Sequence, residues 1–120
     1  MFEMIVRNTP ELVGADIEFH HMRGRGSVAG QFSVKPSGRI RLGIDARFRN
    51  MGTLLHELAH AVHFQRLGDF KVMATLVMTG RDHDAEWRGI LLDLCARWAP
   101  GYGVLLAVSF DLQGLTAARR

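Results

Sequence analysis

The stretch TLLHELAHAVHF, residues 53–64, sets four polar side chains into an otherwise apolar run: His56, Glu57, His60 and His63. Its apolar residues recur at helical spacing, which predicts an α-helix that continues to Leu67 and ends at Gly68. Polar groups on so apolar a helix are costly unless they have partners. The four side chains therefore need a role that core packing does not supply.

The spacing of two of these histidines suits a metal ion. Residues four apart on a helix lie on one face, about 6 Å from each other, so the rings of His56 and His60 can converge. Zn–N bonds of about 2.0–2.1 Å let two imidazoles fill two corners of a tetrahedron. Glu57 is rotated by about 100° and can act as the general base toward a zinc-bound water. This is the HExxH arrangement.

A catalytic zinc also needs a third protein ligand and an open fourth position. A His ten residues after His56 would complete the elongated HExxH motif or the zinc endoribonuclease pattern, but Arg66 occupies that position. His63 lies about two turns, roughly 10 Å, from His56, so we interpret it as a packing or supporting residue.

The segment GRDHDAEW, residues 80–87, contains the remaining candidates for the third ligand. His83 is favoured because its imidazole lies on a lead-in that can turn toward the first helix. Glu86 is the alternative, since a related layout takes its third ligand from a glutamate of the following helix. An acid in the first turn of a helix also has a structural explanation, because it complements the helix dipole.

The sequence before the HExxH helix predicts a small antiparallel sheet. Residues 30–35 and 39–45 flank Pro36-Ser37-Gly38, which is typical of a hairpin turn. Residues 15–22 also alternate in hydropathy and are expected to add a strand. A short helix is predicted to begin near Pro10.

After the HExxH helix, a second helix is predicted from Asp84 to Ala99, with Pro100-Gly101 as its stop. Residues 70–79 fit a helix, a strand or a lid, and residues 104–112 look like a strand. The predicted class is α+β: a small antiparallel sheet packed against the HExxH helix and the following helix, in one domain of residues 1–120.

Composition limits the class of protein. The chain has 120 residues, of which 48% are hydrophobic and 22% charged, so it can bury a core. The lone Cys95 excludes a disulfide or a cysteine-built zinc ribbon within the chain. We expect a cytoplasmic protein without a membrane anchor, because no apolar run approaches the ~20 residues of a spanning helix.

Arginine dominates the basic residues, and the net charge is +3. Arg23, Arg25, Arg39 and Arg41 fall in or near the predicted hairpin and could contact the phosphates of DNA. The alternative explanation is an ordinary solvated face of the sheet.

Taken together, TLLHELAHA and the downstream HDAEW resemble the SprT-like zinc metallopeptidases. RIRLGIDARF, residues 39–48, is similar to the strand and linker that precede the active-site helix in that family. The resemblance covers about residues 14–99, with residues 100–120 as an extension. Asp84 stands where the family usually has Gly, and the N-terminal helix of the family is short or missing.

The resemblance implies a compact zincin-like fold and one zinc per chain held by His56, His60 and His83, with Glu57 as general base. Trp87 would take the place of the aromatic residue behind the third ligand. The implied reaction is peptide-bond hydrolysis, and Spartan proteases of this family act on proteins crosslinked to DNA. The edge strand at 30–35 could hold a substrate, and Arg81 and Tyr102 are candidates to stabilise the oxyanion.

Two other functions are compatible with the sequence. A non-catalytic, zinc-stabilised basic module could bind nucleic acid or a protein partner, with Asp84 as a fourth ligand that closes the site. Glu57 argues against it, because a structural zinc needs no base. A metal-dependent nuclease is disfavoured by Arg66.

Overall fold

Three strands, β1 (Ile17–Met22), β2 (Gly30–Val34) and β3 (Ile40–Asp45), form one sheet in the order β1-β3-β2. The computed structural model describes residues 2–22, 30–45 and 51–118. β2 and β3 form the predicted antiparallel hairpin, which Lys35 N closes by donating to Arg39 O at 2.9 Å. Gly38 permits this turn because its φ of 91° is unfavourable for other residues.

The prediction of an all-antiparallel sheet is wrong for β1, which pairs parallel with β3. Ile17 lies opposite Ile40 and Phe19 opposite Leu42, so apolar residues share one face. A strand that alternates in hydropathy presents the same apolar face in either direction, and the pattern therefore could not determine its orientation.

The described part of the chain contains five α-helices: α1 (Phe2–Arg7), α2 (Met51–Leu67), α3 (Phe70–Met78), α4 (Ala85–Trp98) and α5 (Pro100–Leu112). A 3₁₀ turn, Pro10–Leu12, replaces the short helix expected there. Together with the mixed sheet, these helices confirm the α+β class. None of the helices in the described residues is both long and apolar enough to cross a membrane.

Two of the helices differ from the sequence expectation. Residues 70–79, which were ambiguous, form α3, and Asp69 caps it by accepting from Lys71 N at 2.8 Å. The strand expected at 104–112 is the second half of α5. Pro100 does end α4, but it also occupies the first turn of α5, where its missing N–H costs nothing.

Helix α2 forms the centre of the core. Leu54, Leu55 and Leu58 are fully buried, and α2 contacts β2 and β3 on one side and α4 on another. The polar side chains of α2 are thus carried by a helix whose position between the sheet and α4 is fixed by packing.

We expect Leu58→Ala to lower the free energy of unfolding by about 2–5 kcal/mol, because it leaves a cavity beside a fully buried side chain. Met78→Ala is the matched control, since Met78 is 86% exposed at the end of α3 and should change stability by less than about 0.5 kcal/mol. Urea unfolding in the presence of EDTA measures both. Equal effects of the two substitutions would contradict the central position of α2.

Candidate metal centre

Three histidines converge at one end of the α2–α4 interface. His83 Nε2 lies 3.0 Å from Nε2 of His60 and 3.3 Å from Nε2 of His56. The ligand atoms of all three rings lie within 4.8 Å of one another. Four ligands at the Zn–N distance of 2.0–2.1 Å would be about 3.3 Å apart in a tetrahedron. The three histidines are therefore close enough to hold a single metal ion.

His83 Nε2 makes short contacts with both other rings. These distances suit hydrogen bonds between the rings, and the same arrangement of nitrogens can hold one cation. The rings of His56 and His83 are about half exposed, whereas His60 is only 5% exposed. This leaves one side of the cluster open to solvent, as a catalytic metal site requires.

Local structure explains how His83 reaches α2. His83 lies in the turn before α4, and the next residue, Asp84, caps that helix by accepting from Trp87 N at 2.9 Å. Trp87 is buried and lies against all three histidine rings, with centroid distances of 4.5–5.1 Å. Phe32 of β2 stacks on the His60 ring at 5.4 Å. Aromatic side chains thus line the buried side of the cluster.

The carboxylate of Glu57 lies beside the cluster and outside the set of three imidazoles. Glu57 is 6% exposed, and its Oε1 is 3.8 Å from His56 Nε2. Burial, with a smaller contribution from the charge of Asp82, raises the pKa of Glu57 to about 7. Glycine at position 30 makes room for it, because a Cβ there would lie 2.9 Å from Glu57 Cγ.

Burial holds His56 and His60 in the neutral form that binds metals. Burial, with smaller contributions from the neighbouring His56 and His83, lowers the pKa of His60 to about 3. Burial and His83 also lower the pKa of His56. Neutral imidazoles whose nitrogens face one another present lone pairs to a cation without first having to lose a proton.

Three further residues named from the sequence, His63, Asp84 and Glu86, lie outside the three-histidine group. His63 is 1% exposed, and its Nε2 is 3.6 Å from Asp84 Oδ1, so it lies next to the residue that caps α4. Asp84 Oδ1 therefore both caps α4 and lies close to His63. Glu86, in the first turn of α4, is likewise not a member of the group. Among the candidates for the third ligand, the structure brings His83 to the cluster.

A cavity of about 650 Å³ opens beside the cluster. Besides His56 and Glu57, its lining residues are Gly30, Met51, Gly52, Thr53 and Tyr102. Tyr102 comes from α5, where burial raises its pKa and keeps the hydroxyl protonated at neutral pH. Arg81 is exposed and is not part of this lining. Sequence reasoning gave no functional role to Met51, Gly52 or Thr53, because these residues line the cavity only through their position in the first turn of α2.

The arginines of the hairpin face carboxylates of the neighbouring strand. Arg39 Nε lies 3.3 Å from Glu18 Oε2 and 3.8 Å from Asp16, and Arg41 lies 3.9 Å from Glu18. Arg23 and Arg25 fall outside the described residues. The positive charge of the described hairpin is therefore partly balanced within the protein.

Comparison with known proteins adds no assignment. No family model, no curated protein and no solved structure matches this chain. Any functional conclusion therefore depends on the residues of the site and on the two sequence motifs.

We expect the stability of the metal-free protein to rise with pH between about pH 4.5 and 6.5, because the lowered pKa values of His56, His60 and His63 together outweigh the raised pKa of Glu57. The pKa of His60 falls from 6.5 to about 3 on folding, so its contribution is complete above pH 6.5 and is lost toward pH 3. The lowered pKa values of His56 and His63 act in the same direction. Glu57 opposes them, since its contribution is lost as the pH rises from 4.5 to about 7.

Urea unfolding in EDTA across this pH range tests the balance. Glu57→Gln removes the opposing contribution, so its stability should rise more steeply with pH than that of the wild type. A Glu57→Gln profile as flat as or flatter than the wild-type profile would show that these groups are not buried as described.

Proposed function

We propose that this chain is a zinc-dependent peptidase of the SprT-like type, with His56, His60 and His83 as metal ligands and Glu57 as the general base. The observation that carries the proposal is the convergence of three Nε2 atoms with a buried carboxylate 3.8 Å from one of them, on the wall of an open cavity. The sequence supports it independently, because HExxH and the downstream HDAEW supply these same residues.

Zinc bound to this site would polarise the scissile carbonyl and lower the pKa of the attacking water toward ~7. Glu57 takes a proton from the water and later delivers it to the leaving amine. Its burial favours this role, since a carboxylate with a raised pKa is a stronger base than an exposed one. Gly30 leaves Glu57 the space to stand beside the attacking water.

An extended peptide is the substrate that the surroundings of the site favour. β2 lies at one edge of the described sheet, and its first residue, Gly30, is also part of the cavity wall. A peptide that adds to β2 as a further strand would place its backbone next to Glu57 and the three histidines. The main-chain hydrogen bonds of such a strand would orient the scissile bond.

Tyr102 is the candidate to stabilise the oxyanion. It lines the same cavity as His56 and Glu57, and its phenol is a hydrogen-bond donor at neutral pH. A preformed donor directed at the developing negative charge is the usual device in acyl transfer. Of the two candidates named from the sequence, Arg81 lacks this support.

The non-catalytic alternative has less support from the site. A structural zinc would be closed by a fourth protein ligand, yet Asp84 is engaged at the N-cap of α4 and lies near His63. Burial of Glu57 would be an unexplained cost in such a module. Action on DNA-associated proteins, which the family resemblance implies, also has limited support, since Arg39 and Arg41 face carboxylates.

Zinc content and peptide hydrolysis test the assignment together. We expect Glu57→Gln to retain one zinc per chain and to lower kcat/KM by about 10²–10⁴, because it removes only the base. His83→Ala should lose both zinc and activity. Glu86→Ala is the matched control, and it should retain both.

Elemental analysis and cleavage of an unfolded protein substrate are the measurements. Loss of zinc in Glu86→Ala with retention in His83→Ala would show that Glu86 is the third ligand, and it would contradict the three-histidine site. A wild-type protein that binds no zinc after reconstitution would contradict the peptidase. Zinc-dependent cleavage of nucleic acid in place of protein would establish the nuclease.

We expect Tyr102→Phe to lower kcat by about 10²-fold with little change in KM, because the hydroxyl is needed only when the oxyanion forms. Val104→Ala, on an exposed position of the same helix, is the control and should leave both constants unchanged. An increase in KM at constant kcat would show that Tyr102 binds substrate and does not stabilise the oxyanion.

A further inference from the structure

Arg88 of α4 connects the third histidine to the C-terminal segment, residues 115–118. Its Nη1 donates to the main-chain oxygen of His83 at 2.7 Å, and its Nε donates to the main-chain oxygen of Thr116. The guanidinium group can do this because its donors are held in one rigid plane. The two carbonyls that it joins come from parts of the chain 33 residues apart in sequence.

The C-terminal segment lies directly on the first turns of α4. Ala118 N donates to Ala85 O at 2.9 Å, which anchors the segment beside the N-terminus of the helix. One turn further along, Gly89 is buried against the same segment, and a Cβ at this position would lie only 1.8 Å from Ala118 O. Glycine is among the least favourable residues inside a helix, so its presence here is explained by this close contact.

His83 needs such support more than the other two histidines. His56 and His60 lie on α2, where the helix backbone and the core fix their positions. His83 lies in a turn, and its side chain is 49% exposed. A hydrogen bond to its carbonyl restricts the backbone on which the imidazole is mounted. Groups that orient a metal ligand in this way raise the affinity of the site without touching the metal.

We propose that residues 115–118 act through Arg88 to position His83 for metal binding. The proposal rests on the metal centre proposed above, and it makes Arg88 a positioning residue. The segment lies outside residues 14–99, over which the sequence resembles the SprT-like family. Displacing residues 115–118 would leave the positions of His56 and His60 on α2 unchanged, but the backbone of His83 would be less ordered.

Substitutions at two glycines separate this effect from general loss of stability. Gly89→Ala should displace the segment, whereas Gly101→Ala, within α5 and with open space around its Cα, is the matched control. Arg88→Met removes the donors at similar length, and Arg88→Lys retains a single donor group. Circular dichroism establishes which variants are folded. If Gly89→Ala does not fold, the two Arg88 variants alone test whether Arg88 positions His83.

The measurement is zinc affinity by competition with a chromophoric chelator. We expect Gly89→Ala and Arg88→Met each to weaken binding by about 10-fold or more, as is usual for groups that orient metal ligands. The double variant should be no weaker than Arg88→Met, because both changes break one connection. Arg88→Lys should restore part of the affinity, and Gly101→Ala should equal the wild type. Folded Gly89→Ala and Arg88→Met proteins with wild-type affinity would overturn the proposal.

Hydrogen–deuterium exchange of residues 79–84 in the metal-free protein keeps this proposal distinct from the peptidase assignment. If the wild type binds no zinc, the assignment fails, and exchange alone decides whether the segment restrains the His83 turn. Faster exchange in Gly89→Ala and Arg88→Met, but not in Gly101→Ala, would support the restraint. Unchanged exchange in both would overturn it.

Discussion

The structure depends on the burial of α2, a helix that packs against the sheet and α4 and yet carries Glu57, His60 and His63 at buried positions. Each of these groups would be stable in water in its charged or hydrated form, so burial has to be compensated. His60 meets His56 and His83, and His63 lies near Asp84. The apolar contacts of α2 stabilise the helix enough to offset the cost of burying these polar groups. The same contacts hold the groups in fixed positions relative to one another.

Burial also sets the chemistry of the site. The same loss of solvent that lowers the pKa of His60 raises that of Glu57, because in each case the charged form is disfavoured. His56 and His60 are thereby kept neutral, and the carboxylate of Glu57 becomes a stronger base. One physical effect thus gives two kinds of group the properties that the proposed hydrolytic site needs.

Two segments after α4 contact the surroundings of the three histidines. α5 brings Tyr102 to the cavity beside Glu57, and residues 115–118 reach the main chain of His83 through Arg88. Both contacts depend on the sharp connection at Ala99-Pro100, which sends α5 back along α4. Gly103 allows this return, since a Cβ there would lie 2.9 Å from Cys95 Cβ.

The sequence by itself determined the features that depend on local periodicity: the course of α2, the register of His56 and His60, the β2–β3 hairpin and the start of α4 near Asp84. These follow from hydrogen bonds and side-chain spacing within a few residues. The tertiary structure decided the parallel pairing of β1, the helical state of residues 104–112, and the presence of His83, not Glu86, in the cluster. Those outcomes depend on contacts between segments distant in sequence, and hydropathy patterns carry no information about which distant segments meet.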